Sequence, residues 1–347
     1  MSIDIFLAGK PIPTLRRMIF PTLWCPLLTH YDDQGRIDAQ RIARHLDFLA
    51  PSVRGFLVPG STGDGWQLSD AEARTLLDVV IGLARERALQ LLIGVLRPDA
   101  DAMQAFMVDT IAWLKQRAGT TDLPDALRQA ATLGFTFCAP HGAALTQDDI
   151  AAALDTLLAV GAPSALYQLP QVTGNEIAPQ TMRTLAARHA NLLMLKDTSG
   201  ADRIADSGLD KVFLVRGAEG GYSHHLKLAG GRYDGFLLST ANVFGAPLNE
   251  LIEHLRQGRR AEADALSSRL EAVVNAVFAA AAPLPYGNAF TNANKSLDHF
   301  MAHGPGARGV TPPRLHSGQR LPADLIDRAG AELERHGLMP VRGYLNP

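Results

Sequence analysis

Short apolar runs recur along the chain at 23–28, 55–58, 91–96, 135–139, 165–168, 192–195, 212–215 and 235–238. Several lack the alternation of a half-exposed strand. A continuous apolar run of that length reads as a strand covered on both faces, as in a parallel sheet. Between the runs the apolar spacing moves toward the helical period. The segment 69–87 opens with Ser69 and Glu72, an S-x-x-E capping box, and the segment 146–160 is closed by Gly161 and Pro163. Eight strand–helix alternations predict an α/β fold, a closed (β/α)8 TIM barrel rather than an open doubly wound sheet.

The alternation is uneven in two places. The third connection, 97–134, is long, and its loop-like AGTTDLPD (118–125) reads as an insertion on the helical side. After the eighth run no strand signal follows. The segments 249–254, 261–282 and 322–336 read as helices, the last set off by the Pro/Gly-rich stretch 304–318. The expected organisation is an N-terminal extension over 1–18, the barrel over 19–245 and a C-terminal helical region over 246–347. A barrel of roughly 250 residues with an appendage accounts for the length.

Composition then narrows the function classes. A hydrophobic share of 47% supports a full core. No apolar stretch reaches the roughly 20 residues that span a bilayer. The apolar patch 3–8 has no basic segment before it, so a signal peptide is not expected and a cytoplasmic location is. A net charge of −2 without Lys/Arg runs gives no electrostatic footprint for nucleic acid or an anionic membrane. Cys25 and Cys138 form no CxxC pair and sit in apolar segments, as buried thiols in a reducing compartment do. No HExxH or spaced carboxylate set predicts a metal site. The adjacent His224 and His225 would diverge on a strand. No GxGxxG follows a strand, so no nucleotide cofactor is expected.

In a barrel of this kind chemistry sits at the C-terminal strand ends. Three segments qualify. LVPGSTGDG (57–65) follows the second strand, and a turn of small residues there leaves backbone N–H groups open to a carboxylate or phosphate. ALYQLPQVTG (165–174) puts Tyr167 at a strand mouth before a proline turn. NLLMLKDTSG (191–200) leads four apolar residues straight into Lys196, one of only six lysines among 33 Lys and Arg. Desolvation there disfavours the ammonium form, and a neutral amine is the nucleophile that imine formation needs. Each segment alone also fits a plainer role: a turn, a core tyrosine, a lysine reaching out of a strand end.

Together, in this order, they resemble the dihydrodipicolinate synthase / N-acetylneuraminate lyase family of pyruvate-dependent class I aldolases. The matching pieces are PLLTHYDDQGRID (26–38), GSTGDGWQLSDAE (60–72), YQLPQVTG (167–174), LLMLKDTSG (192–200), GRYDGFLLSTANVF (231–244) and PPRL (312–315), so the resemblance runs from about residue 19 to 335. It implies a lyase that forms a Schiff base between Lys196 and pyruvate or a 2-keto-3-deoxy acid, with Tyr167 moving protons. It implies a carboxylate held by Ser61 and Thr62, with Gly60, Gly63, Gly217 and Ser239 forming the surrounding pocket and Ser61 hydrogen-bonded to Tyr167. No metal or cofactor is implied, and a homodimer or homotetramer is.

The chain departs from the family pattern at several points. A tyrosine pair expected after the fourth strand is replaced within CAPHGAA (138–144), where His141 is a candidate substitute. An arginine expected two residues beyond Pro170 is Val172. GAEGG (217–221) keeps only Glu219 of two adjacent acids that the sialic acid lyases carry. These differences leave open a 2-keto-3-deoxy sugar acid aldolase or dehydratase, 4-hydroxy-tetrahydrodipicolinate synthase itself, and a catalytically silent regulatory member. Retention of both Lys196 and Tyr167 argues against the last.

Overall fold

In the computed structural model, eight parallel strands close into a barrel; the described residues are 20–345 and two paired segments, Phe6–Leu7 and Lys10–Pro11. The rest of the expected N-terminal extension, 1–18, lies outside the described residues. The strands are β1 (Leu23–Pro26), β2 (Gly55–Val58), β3 (Gln90–Gly94), β4 (Thr132–Cys138), β5 (Ser164–Gln168), β6 (Leu192–Asp197), β7 (Phe213–Arg216) and β8 (Gly235–Leu237). Each of the eight apolar runs supplies one of them. Closure comes from β8, which pairs with both β7 and β1.

The period-2 geometry of a strand divides their side chains. Trp24, Leu57, Leu92, Ala165, Met194, Val215 and Leu237 pack together as one cluster, the filling of the barrel interior. Their neighbours Phe56, Ile93, Phe137, Leu166, Leu195, Leu214 and Phe236 belong to the larger core shared with the helices. Two residues beyond Ala165, Met194, Val215 and Leu237, the same inward parity reaches Tyr167, Lys196, Gly217 and Ser239. The packed interior therefore sets the floor on which those four positions stand.

The helices on the first five connections are α1 (Ala39–Leu49), α2 (Asp70–Glu86), α3 (Ala100–Ala118), α4 (Leu123–Gln129), α5 (Gln147–Leu158), α6 (Pro170–Thr173) and α7 (Pro179–Arg188). The Ser69–Glu72 box forms as expected, and Thr146 with Asp149 makes a second at α5. The segment 118–125 is not a plain loop. Asp122 caps α4, and Pro124 sits in its first turn, where a missing N–H costs nothing.

The alternation fails on the far side of the barrel. Neither 198–212 nor 217–234 holds an α-helix; the second has only a 3₁₀ turn, Lys227–Ala229. These loops supply their own core residues, Ile204, Leu209, Tyr222, Leu226 and Tyr233.

Four helices follow: α8 (Ala241–Arg256), α9 (Arg260–Ala281), α10 (Ala289–His303) and α11 (Ala323–Arg335). The α8 helix starts before the expected 249 because Pro247 is accommodated at a kink, where Phe244 leaves helical geometry. The α10 helix has no counterpart among the expected helices. Its residues from Thr291 to Ala302 are all buried, polar ones included, so no amphipathic stripe marks it. Among the described residues no helix is long and apolar enough to cross a membrane.

A buried polar knot ties α10 to α1 and to the chain's end. Asp298 accepts from Arg41 Nη2 at 2.9 Å and from the Tyr344 hydroxyl at 3.0 Å. His30 Nε2 and His45 Nδ1 lie 2.9 Å apart, and His45 Nε2 lies 2.8 Å from the Asn242 carbonyl. Burial alone would raise the Asp298 carboxyl, but His45, Arg41 and His30 hold it well below the usual range. Burial depresses His30 and His45, with Arg41 adding to both, and takes His303 down to about 4.

Burial makes these histidines harder to protonate in the fold than in the unfolded chain, which takes up protons on them below about pH 6.5. Protons therefore bind the unfolded state preferentially, and stability falls as pH drops through that value. The thermal unfolding midpoint is expected to decrease steadily from pH 7.5 to 5.5. A midpoint that stays level or rises over that interval would show that these side chains are already protonated in the native protein.

Candidate active site

The parity of the strands brings the candidate residues together. Cys138, Tyr167 and Lys196 are cross-strand partners on β4, β5 and β6, so their side chains stand side by side. Lys196 is 3% exposed, and its Nζ sits 3.9 Å from the centre of the Tyr167 ring. Burial pulls the Lys196 amine down to about 7, against opposing pulls from Cys138, Glu219 and Cys25. Near neutral pH a large share is therefore free amine. Burial pushes the Tyr167 phenol up, so it is a proton donor, and the Thr198 hydroxyl lies beside it.

Gly217 makes room for the lysine. A Cβ there would stand 2.4 Å from Thr198 Oγ1 and 2.7 Å from Lys196 Cε, closer than any side chain tolerates. Glycine at this position is a packing requirement of the amine.

The loop after β2 forms a 3₁₀ turn, Ser61–Gly63, with Gly63 and Gly65 N–H both donating to the Gly60 carbonyl. The three carbonyls of the turn are held from outside. Asn288 Nδ2 donates to Ser61 O at 3.1 Å, Thr291 Oγ1 to Thr62 O at 2.9 Å, and Thr29 Oγ1 to Gly63 O at 2.7 Å. Asp64, in the left-handed region at φ 62°, is bound by Lys295 Nζ at 3.2 Å and the Tyr31 hydroxyl at 3.0 Å. Among the described residues, the Ser61 and Thr62 N–H groups and hydroxyls meet no protein acceptor. Four donors are thus left for an anion.

Ser61, Thr62, Tyr167, Lys196, Gly217 and Ser239 line one narrow cavity, joined by Leu169, Thr198 and Phe290. Gly60 and Gly63 shape the turn behind it. His141 is not brought in. It is exposed on the rim, where its ring rests 4.7 Å from that of Trp66, which packs against the cluster containing Tyr167. No hydrogen bond joins Ser61 to Tyr167; Thr198 is the phenol's hydroxyl neighbour. Glu219 receives Ser239 Oγ at 2.7 Å, Thr240 Oγ1 at 2.6 Å, Thr240 N at 3.1 Å and the Tyr222 hydroxyl at 2.9 Å. Both of its oxygens are occupied, so Glu219 builds the wall.

Thr198 was not singled out from the sequence, although its place two residues after Lys196, on the same strand parity, is a signal that could have found it. Phe290, Asn288 and Thr291 carried no such signal, because they belong to the unrecognised α10. Among the described residues, the one trio with metal-ligand geometry is His30, His45 and Asp298. It lies outside this cavity, and the Arg41 guanidinium already occupies Asp298.

The sequence profile of the dihydrodipicolinate synthetase family matches residues 121–293. A 4-hydroxy-tetrahydrodipicolinate synthase of Enterococcus faecalis is 25% identical over 268 residues, 76% of this chain and 86% of that protein. That of Parasynechococcus marenigrum is 29% identical over 273 residues, 75% of this chain and 81% of its own. Among solved structures, the Escherichia coli K12 prophage protein YagE, of the dihydrodipicolinic acid synthase family and in complex with pyruvate, superposes with a TM-score of 0.72. It is 19% identical and covers 92% of this chain and 100% of that one. A Sulfolobus 2-keto-3-deoxygluconate aldolase in complex with D-KDPG gives 0.70 at 17% identity, covering 91% and 96%.

Two substitutions test the geometry. Gly217→Ala is expected to displace the Lys196 side chain and to slow reductive alkylation of that amine by a small carbonyl compound by at least about tenfold. An unchanged rate in a folded variant would show that the close approach is not needed. Thr291→Val frees the Thr62 carbonyl and is expected to weaken binding of a small carboxylate by roughly fivefold, the equivalent of about 1 kcal/mol for one hydrogen bond. Thr291→Ser should keep wild-type affinity, and equal losses in both variants would contradict the hydrogen-bond role.

Proposed function

Because this chain belongs to the dihydrodipicolinate synthetase family, we propose that it is a class I lyase that forms a Schiff base between Lys196 and pyruvate or a 2-keto-3-deoxy acid. The observation that carries the proposal is the buried amine of Lys196, brought down to about 7 by burial and adjoining the N–H and hydroxyl donors of Ser61 and Thr62. A silent regulatory role would leave both features without a use.

The substrate carboxylate rests on the N–H and hydroxyl groups of Ser61 and Thr62, which places the keto carbon before Lys196. The amine adds to that carbon, the Tyr167 phenol gives a proton to the carbinolamine hydroxyl, and water leaves to give a protonated imine. The imine withdraws electrons, so the Tyr167 phenolate takes a C3 proton, which restores the phenol, and an enamine forms. In the synthetic direction C3 adds to an aldehyde carbon, and the new alkoxide takes a proton from the Tyr167 phenol. Water then hydrolyses the imine and returns the free amine. Cleavage follows the same steps in reverse, with Tyr167 as base. The Thr198 hydroxyl beside the phenol can take part in these proton transfers.

Borohydride added with pyruvate is expected to leave a reduced adduct on Lys196, seen by peptide mass spectrometry, and Lys196→Ala should abolish it. Tyr167→Phe should still form the adduct but lose about 10²- to 10⁴-fold in turnover, the usual contribution of a positioned acid–base group. No adduct at Lys196 with any 2-keto acid would end the Schiff-base proposal. An adduct elsewhere in the chain would assign the chemistry to another lysine.

A further inference from the structure

The cavity at Lys196 opens sideways into a second groove, with which it shares Thr198, Gly217 and Phe290. A tail extending from C3 of a substrate bound at Lys196 would enter it. The groove is floored by the loops after β6 and β7, and roofed by Val274, Asn275 and Phe278 of α9 with Phe290 of α10. Phe278 and Phe290 meet edge to face, with ring centres 5.7 Å apart, and form an aromatic wall.

Its charge is one-sided. Among its lining residues there is no Lys, Arg or His, and Glu219 is the one ionisable group. The carboxylate of Glu219 accepts from Ser239, Thr240 and Tyr222, so neither of its oxygens is left for a ligand's hydroxyl. Glu271 stands behind the Gly220–Gly221 turn, where Gly221 N–H donates to it at 3.2 Å. The Arg216 guanidinium, at the end of β7, is buried beneath the floor. It pairs with Asp202 and donates to the carbonyls of Ala218 and Gly220, so it faces away from the groove. A carboxylate or phosphate here would shed water, find no cation and face a negative wall. The free polar groups are neutral: the exposed Asn275 amide, the Ser199 hydroxyl, and Gln171, whose Nε2 donates to Thr198 O at 2.9 Å.

We infer that the part of the substrate beyond C3, and hence the aldehyde joined or released, is uncharged. The groove between α9 and the β6 and β7 loops reads hydroxyl-bearing or aromatic tails and rejects anionic ones. This inference rests on the Schiff-base proposal and specifies the substrate class of that site.

The test uses the full-length protein with pyruvate and three aldehydes: glyceraldehyde, glyceraldehyde 3-phosphate and aspartate 4-semialdehyde. Carbon–carbon bond formation with glyceraldehyde should exceed that with either charged aldehyde in kcat/KM by at least about tenfold. Asn275→Arg, which places a cation in the roof, should shrink that ratio severalfold while borohydride trapping of pyruvate on Lys196 stays unchanged. Equal or better use of a charged aldehyde by the wild type, with pyruvate still trapped, would overturn the inference and leave the Schiff-base proposal standing. Trapping without any turnover of glyceraldehyde would also overturn it. A failure of trapping itself would remove the proposal beneath it.

Discussion

Taking a primary amine out of water is the constraint that organises this protein. An ammonium ion loses hydration on burial, and the proton leaves more readily when no anion replaces the lost water. Lys196 is in that position: 3% exposed, set over the face of Tyr167, with no ion pair among the described residues. Cys138, Glu219 and Cys25 pull the other way, yet burial wins and the amine comes down to about 7. Arginine could not stand here, since its guanidinium does not give up a proton in proteins.

The rest of the fold can be traced to holding that amine dry, reachable and beside an anion pocket. The interior cluster around Trp24, Leu57, Met194 and Val215 packs the barrel below it. Gly217 yields the volume for its methylenes. The C-terminal helices complete the site from above. α10 holds the carbonyls of Ser61 and Thr62 through Asn288 and Thr291, ties Asp64 through Lys295, and contributes Phe290 to the cavity. The same helix is anchored at its other end by Asp298 to Arg41 and Tyr344, so the barrel and the appendage share one polar seam.

What the chain discloses follows the strength of each local signal. The eight strands were legible because strands buried on both faces leave unbroken apolar runs, and Lys196 was conspicuous because it interrupts one. Tyr167, Ser61, Thr62, Gly217 and Ser239 sit at strand ends, where barrel geometry directs attention. The α10 helix was hidden because its buried residues Asn292, Lys295, Asp298 and His299 look like surface residues until their partners in distant segments are known. The loops 198–212 and 217–234 were expected to carry helices by analogy with their neighbours, but there Tyr222, Tyr233 and Leu226 cover the sheet. His141 drew attention because it stands where the resemblance expects a tyrosine pair, and tertiary packing sends it to Trp66 on the rim.

The central claim is the protonation state of one side chain, and it can be read directly. In protein carrying ¹³C at lysine Cε, the resonance assigned through a Lys196→Arg comparison should titrate near pH 7 in the absence of substrate. A midpoint close to 10.4, the value of a lysine in water, would contradict the account.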